Sequence, residues 1–293
     1  MSVFITGSSG FVGSSFLNHF KNEVTYVSSR GKESNIDSAS EVIHLAGKAH
    51  DLKRTSNPEE YYQVNTELTK KVFDAFLVSD AKVFITLSSV KAAADKVEGA
   101  LTEHHHPNPI THYGKSKLLA EQYIFSKEIP DGKSVYVLRP CMIHGPGNKG
   151  NLNLLYKIVS KNLPWPIGAF ENKRSFCSID NLMFIFKELI EREDIPSGIY
   201  NVADDEPLST NELIGLIAQS QTRAPKIWNI SKKFIEGVAS IGDKLRLPLN
   251  SERLQKLTSS YVVSNAKIKA AIGKPLPVSS REGLLKTFKS FNN

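Results

Sequence analysis

Cysteine is scarce in this chain: Cys141 and Cys177 are the only two in 293 residues, both in strand-like apolar surroundings and outside any CxxC spacing. Two such thiols build no disulfide framework and no thiol redox motif; they predict buried, reduced side chains and a cytoplasmic protein. No apolar run approaches the ~20 residues that a membrane-spanning helix needs, which sets stable membrane insertion aside. The chain runs straight into an apolar strand pattern, Val3-Phe4-Ile5, so no signal peptide is expected. Internal repeats and low-complexity tracts are also lacking, as are the interleaved aromatic and basic motifs of nucleic-acid binders. The net charge of +7 suits an anionic ligand without requiring one. The length fits one large α/β domain, alone or carrying a smaller one.

What is present begins at the N-terminus. Val3-Phe4-Ile5 feeds Thr6-Gly7-Ser8-Ser9-Gly10-Phe11-Val12-Gly13, after which Phe16, Leu17 and Phe20 fall on one helical face. Strand, glycine loop and helix in this order form a dinucleotide-binding fingerprint with Gly-x-x-Gly-x-x-Gly spacing. Gly7 serves the tight turn, Gly10 the close approach of a pyrophosphate, and Gly13 the packing of the helix. The helix N-terminus adds positive potential for the phosphates. The next strand, Val24-Thr25-Tyr26-Val27, ends in Ser28-Ser29-Arg30-Gly31-Lys32, where an NAD site usually places an acid for the ribose 2′-hydroxyl. Hydroxyls and cations without an acid, Ser29 and Arg30 foremost, suit a 2′-phosphate. NADP(H) is therefore favoured, with NAD(H) as the alternative. Only residues 33–40 separate this turn from the next strand, so the adenine side is expected to be abbreviated, with Asn35 and Ile36 as its contacts.

Glu41-Val42-Ile43-His44-Leu45-Ala46-Gly47 is an apolar strand ending in small residues, where backbone can pass close to the cofactor. His44 is expected to be a packed strand residue. Asn65 begins or precedes a long helix, and Lys82 through Leu87 form another buried strand that ends in Ser88 and Ser89. Ligands of an open parallel sheet sit beyond such carboxyl ends. A hydroxyl there can orient a reacting oxygen towards Tyr113, which opens the stretch Tyr113-Gly114-Lys115-Ser116-Lys117. On a helix Tyr113 and Lys117 lie one turn apart on one face. A neighbouring ammonium favours phenolate, so the pair is expected to lower the tyrosine pKa and to pass a proton to or from an alcohol oxygen.

Taken together, these motifs resemble the extended short-chain dehydrogenase/reductase family, the NAD-dependent epimerase/dehydratase group that modifies nucleotide sugars. The resemblance rests on Thr6 through Gly13, His44-Leu45-Ala46-Gly47, Asn65, Ser88-Ser89, Tyr113 through Lys117, and Leu138-Arg139-Pro140, in that order. It implies a Rossmann-type doubly wound parallel sheet over residues 1–145. A smaller, mainly substrate-binding domain over 146–293 would follow, with segments that cross back to the first. It further implies Ser89, Tyr113 and Lys117 as the catalytic set, with Tyr113 as acid/base, Ser89 polarising, and Lys117 gripping the nicotinamide ribose. Gly7, Ser9, Gly10, Phe11, Val12, Gly13, Ser29, Arg30, Leu45, Ala46, Gly47, Asn65, Ser88 and Pro140 would complete the cofactor site. Ser89, Tyr113, Asn151, Arg174 and Arg253 would meet the substrate, with Arg174 on its pyrophosphate. A homodimer is also implied.

Two departures narrow the reaction. Ser89 is followed by Val90-Lys91-Ala92 rather than the acids that 4,6-dehydratases use, so dehydration is not expected; the Val-Tyr-Gly continuation of many members is missing as well. His104-His105-His106 invites a metal, but three consecutive side chains converge poorly on one ion, and no metal is expected. The stretch 231–247 is basic and partly apolar; packing inward is favoured for it over lying on a membrane surface. The landmarks of the second half resemble the surface-polysaccharide branch. Net reduction of a UDP-4-keto-6-deoxy-N-acetylhexosamine is the favoured reaction, UDP-sugar 4-epimerisation the alternative. A non-catalytic dinucleotide-sensing regulator is the competing class, against which the intact Ser89, Tyr113 and Lys117 argue.

Overall fold

A computed structural model describes residues 2–28, 36–37, 39–48, 57–148, 150–245 and 250–291. The first half runs β1 (Ser2–Thr6), α1 (Phe11–His19), β2 (Thr25–Ser28), β3 (Glu41–His44), α2 (Pro58–Tyr62), α3 (Leu68–Val78), β4 (Val83–Leu87), α4 (Val90–Ala93), β5 (Ala100–Leu101), α5 (His112–Phe125), β6 (Ser134–Pro140) and β7 (Met142–His144). The second half adds α6 (Asn151–Ser160), β8 (Phe176–Ser178), α7 (Ile179–Glu191), β9 (Gly198–Val202), α8 (Thr210–Ser220), α9 (Lys232–Leu245), α10 (Ser251–Thr258), β10 (Val262–Val263), α11 (Ala266–Ile272) and α12 (Ser280–Lys289).

Alternation along the strands builds the sheet. Val3, Ile5, Ile43, Ile85, Tyr136 and Leu138 point to one face and pack against Phe16, Leu182 and Phe186 of α1 and α7. Phe4, Val42, Phe84, Val135 and Val137 point to the other face, against Val72, Phe73 and Phe76 of α3 and Ile124 of α5. With both faces covered, the strands read as continuous apolar runs and pair in parallel. The sheet has six strands in the order β2-β1-β3-β4-β6-β9, each pair parallel. This is the expected doubly wound, Rossmann-type α/β architecture.

Register sets Thr6 opposite His44, His44 opposite Thr86, and Leu87 opposite Leu138, so the carboxyl ends of the central strands lie side by side. β2 is the edge; among the described residues no strand lies beyond it. Ile36 is 1% exposed within the Phe4–Phe73 cluster. It fills the core where the sequence suggested an adenine contact, its apolar side chain packed in the cluster of Phe4, Val42 and Phe73. β9 and α7 come from the second half yet complete the sheet and its cover. Away from the sheet, two smaller clusters centre on Leu213, Leu216 and Phe288 and on Trp165, Ile214 and Leu254.

Candidate functional site

The glycine loop is shaped by contacts that admit no side chain. Gly7 has φ +72°, and a Cβ there would stand 2.5 Å from the Ala46 nitrogen; at Gly13 it would stand 2.2 Å from the Gly7 carbonyl oxygen. The Gly10 amide donates to the Gly7 oxygen at 3.0 Å. Gly10 is also the N-cap of α1 and supplies no side-chain cap, so first-turn amides remain for an anion. Ser9 and Gly10 are exposed, Phe11 and Val12 half-buried. The residues fit a dinucleotide's pyrophosphate. Thr6 ties this loop to the next strand end: its hydroxyl accepts from the Ala46 amide at 3.1 Å and meets His44 Nδ1 at 2.7 Å. His44 Nε2 meets the Thr69 hydroxyl at 2.9 Å, and that hydroxyl donates to the Asn65 carbonyl. The network assigns the proton to Nε2. Burial, and then the charge of Lys117, lower the His44 pKa to about 3. His44 is thus a neutral, packed residue, as its sequence context predicted.

Asn65 does not begin α3; it sits in a π-helical turn, Gln63–Glu67, between α2 and α3. The wide turn aims its amide inward, where it accepts from the Lys48 amide at 2.8 Å and donates to the Lys48 carbonyl and to Ser116 Oγ, each at 3.1 Å. Ser116 in turn donates to the Tyr113 carbonyl at 2.8 Å. This bracket fixes the loop after β3 against the start of α5, whose N-cap Thr111 accepts from the Gly114 amide. π-Turns recur at functional sites because they re-aim one side chain without ending the helix. A Cβ on Gly47 would lie 3.1 Å from Lys117 Nζ, which places that ammonium beside the loop. Lys117 is 8% exposed and donates to the Leu87 carbonyl at 2.8 Å. Burial, partly countered by Glu121, lowers its pKa to about 8.

Ser89 N-caps α4, accepting from the Lys91 amide at 3.2 Å. Tyr113 is half-buried, hydrogen-bonded to Ser89, and its ring stands edge-on to Tyr61 at 6.2 Å. Its pKa is raised, chiefly by burial; the Ser89 bond pulls it down and Tyr61 pushes it up. That reverses the direction the Tyr-Lys spacing suggested. Desolvation outweighs the Ser89 hydrogen bond, and the Lys117 ammonium is directed to the Leu87 carbonyl.

Beneath this pair lies a buried polar cluster that sequence reasoning missed. Arg139 grips Glu121 through Nε at 2.9 Å and Nη2 at 2.5 Å, and Ser88 donates its hydroxyl to the same carboxylate. Ser88 is therefore held by Glu121. The signal for the pair was legible: a cation, Arg139, inside the apolar strand β6 demands an acid, and Glu121 lies one turn beyond Lys117 on α5.

Pro140 ends β6 opposite Val202. Arg174 donates to the Ser259 carbonyl at 3.0 Å and to its hydroxyl at 3.1 Å, and burial lowers its pKa. It stands close enough to depress the Lys91 pKa, which burial lowers first and Asp95 raises. Lys91 Nζ lies 4.2 Å from the ring centroid of Tyr261, whose backbone bridges to that of Arg174, so Arg174 sits near the segment that follows Ser89. Arg253, in the first turn of α10, and Asn151, the first residue of α6, are exposed. Ser29, Arg30, Lys32 and Asn35 lie outside the described residues. His104, His105 and His106 occupy an exposed loop, where His105 Nδ1 accepts from the Thr102 amide.

Residues 3–203 match the NAD dependent epimerase/dehydratase family, and the chain belongs to that family. It is 27% identical to a UDP-glucose 4-epimerase of Vibrio cholerae, over 99% of this chain and 95% of that protein. Identity is 28% to an N-acetyl-alpha-D-glucosaminyl-diphospho-ditrans,octacis-undecaprenol 4-epimerase of Escherichia coli O157:H7, over 75% of this chain and 72% of the relative. It is 26% to a GDP-6-deoxy-D-mannose reductase of Pseudomonas aeruginosa, over 60% and 62%. The fold matches a UDP-glucuronic acid 4-epimerase from Bacillus cereus in complex with NAD (TM-score 0.75, 17% identity, 100% and 99% coverage). It also matches RMD from Pseudomonas aeruginosa complexed with NADPH (TM-score 0.73, 19% identity, 99% and 98% coverage). The chain is thus one of a family of NAD-dependent nucleotide-sugar epimerases and reductases, whose structural neighbours bind NAD or NADPH.

Proposed function

We propose that the site carries out oxidoreduction at C4 of a nucleotide-linked sugar, and that its net reaction is 4-epimerisation of a UDP-hexose. The observation that carries this reading is the Ser89–Tyr113 hydrogen bond at the carboxyl edge of the sheet, with Lys117 one turn along the same helix. Tyr113 Oη takes the proton of the sugar hydroxyl on oxidation and returns it on reduction, while Ser89 Oγ holds the same oxygen. The raised pKa favours the phenol at neutral pH, the form that donates in the reduction half; the oxidation half needs the phenolate. Lys117, with its pKa near 8, is mostly an ammonium at pH 7 and is assigned to the cofactor ribose. When bound, the nicotinamide dinucleotide supplies the hydride acceptor and donor. Gly7, Ser9, Gly10, Phe11, Val12 and Gly13 would hold its pyrophosphate; Leu45, Ala46, Gly47, Asn65, Ser88 and Pro140 would line the rest. Arg174 is assigned to the substrate diphosphate, with Asn151 and Arg253 as outer contacts. The reaction is placed in the cytoplasm, in surface-polysaccharide synthesis, and the working unit is a homodimer.

Epimerisation leads because the UDP-glucose 4-epimerase relative is matched over 99% of the chain and the undecaprenol-linked 4-epimerase over 75%, although a dTDP-glucose 4,6-dehydratase is matched over 74%. Net reduction of a UDP-4-keto-6-deoxy-N-acetylhexosamine is the second reading. It is favoured by the acid-free run Ser28 through Lys32, where Ser29 and Arg30 would take a 2′-phosphate, and by the shortened adenine side. Purified protein incubated with UDP-glucose and UDP-N-acetylglucosamine, and separately with the keto sugar plus NADPH, decides between them. Interconversion of UDP-hexoses without added cofactor supports the epimerase. Stoichiometric NADPH consumption with no interconversion replaces it with the reductase.

A further inference from the structure

The helix α9 buries one face and leaves a second apolar face uncovered. Ile235 and Ala239, 4% and 0% exposed, root it in the cluster of Trp165, Ile214 and Leu254. Phe234, Val238, Ile241 and Leu245 remain 62%, 37%, 56% and 65% exposed. At 3.6 residues per turn these four positions fall within a stripe about 60° wide along the whole helix. The helix's acids are kept from it. Glu236 and Asp243 occupy positions on the opposite side, and the Asp243 carboxylate is bound by the Ser251 amide at 3.0 Å and hydroxyl at 2.6 Å. The positions of Lys233 and Lys244 flank the stripe on the side away from the buried face.

We propose that this face of α9 docks on the surface of an anionic phospholipid bilayer, the four apolar side chains entering the headgroup boundary and the lysine positions facing the phosphates. This shifts the balance away from the inward-packing expectation for 231–247: only part of the helix's apolar surface packs inward. Charge and area select the occupant. Acids on the far side and lysines on the flank complement an anionic surface such as a cytoplasmic leaflet. A second copy of the chain would need ~800 Å² from each partner, and one stripe of four partly exposed side chains falls well short of that. A lipid surface accepts a single helix face. No helix among the described residues is long and apolar enough to cross a membrane, so the contact is peripheral.

The test is cosedimentation of the full chain with vesicles of phosphatidylcholine alone and of phosphatidylcholine mixed with phosphatidylglycerol. The wild type should bind the anionic vesicles more tightly than the neutral ones, and salt should weaken that binding. The double variant Phe234→Ser, Ile241→Ser should bind roughly tenfold or more weakly, with unchanged circular dichroism, because both side chains are already in water. As a second readout, Phe234→Trp should add a component whose emission moves to shorter wavelength on anionic vesicles. Absent binding, equal binding by the double variant, or a dimer that dissociates when the stripe is changed would each overturn the proposal. Vesicle binding is read without sugar or cofactor, so its failure leaves the C4 chemistry standing.

Discussion

Replacing Glu121 with glutamine tests the polar cluster beneath the site. The substitution keeps the side chain's shape and removes its charge. Arg139 and Glu121 side chains are 2% and 3% exposed, so the guanidinium would be left as an uncompensated buried cation. Breaking such a pair from one side costs ~3–5 kcal/mol, a large share of the ~5–15 kcal/mol that holds a typical protein folded. For a chain of this size that lowers the melting temperature by on the order of 10 °C. The double variant Glu121→Leu, Arg139→Met removes both charges and should recover most of the loss, leaving the Ser88 hydroxyl without its acceptor at ~1–3 kcal/mol. Glu121 also raises the Lys117 pKa, so glutamine should move that pKa below about 8 and reduce the ammonium fraction at pH 8. Urea unfolding of wild type, Glu121→Gln and the double variant compares the three stabilities, and adding Glu121→Leu and Arg139→Met alone completes the cycle. A single variant as stable as wild type, or a double variant no better than the single, would refute the reasoning.

Two further substitutions follow from buried basic groups whose pKa burial lowers. Lys117 has a folded pKa of about 8 against an ordinary 10.5; the unfolded chain therefore binds more protons between these values, and stability rises with pH across that window. Lys117→Met should consequently be more stable than wild type at pH 7 by about 1–3 kcal/mol, with a gap that narrows from pH 8 to 10.5 while turnover collapses; a pH-independent gap in urea unfolding would contradict this. His44 stays neutral down to about pH 3, whereas the unfolded side chain gains a proton near 6.5. Wild-type stability should then fall as pH drops through that window, by up to ~1.4 kcal/mol per pH unit from this group, and His44→Gln should flatten the acid limb seen in denaturation at stepped pH.

The sequence was most informative where function is local. Thr6 through Gly13 and Tyr113 through Lys117 are each contained in one loop or helix turn, so spacing alone put the glycines before α1 and set Tyr113 and Lys117 one turn apart on α5, and the apolar runs gave the strands. Contacts between distant segments were harder to read. The π-turn that aims Asn65 at Lys48 and Ser116 has no spacing signature, because it depends on α5 packing alongside. Ser88, Glu121 and Arg139 meet only once β4, α5 and β6 are side by side. The Tyr113 pKa was misjudged because the spacing shows the nearby ammonium and not the depth of the phenol. Ile36 was misplaced for the same reason: spacing does not show that its side chain is buried in the core.

The central claim is that Tyr113 moves the proton at the sugar oxygen. Its most direct test is to compare Tyr113→Phe with wild type in whichever sugar reaction the protein catalyses, followed by proton NMR, alongside calorimetric titration of the dinucleotide. The ring and its packing against Tyr61 survive in this variant, and only the hydroxyl bonded to Ser89 is lost. Turnover should fall by ~10²–10⁴-fold with cofactor affinity nearly unchanged. Full turnover in the phenylalanine variant would contradict the account.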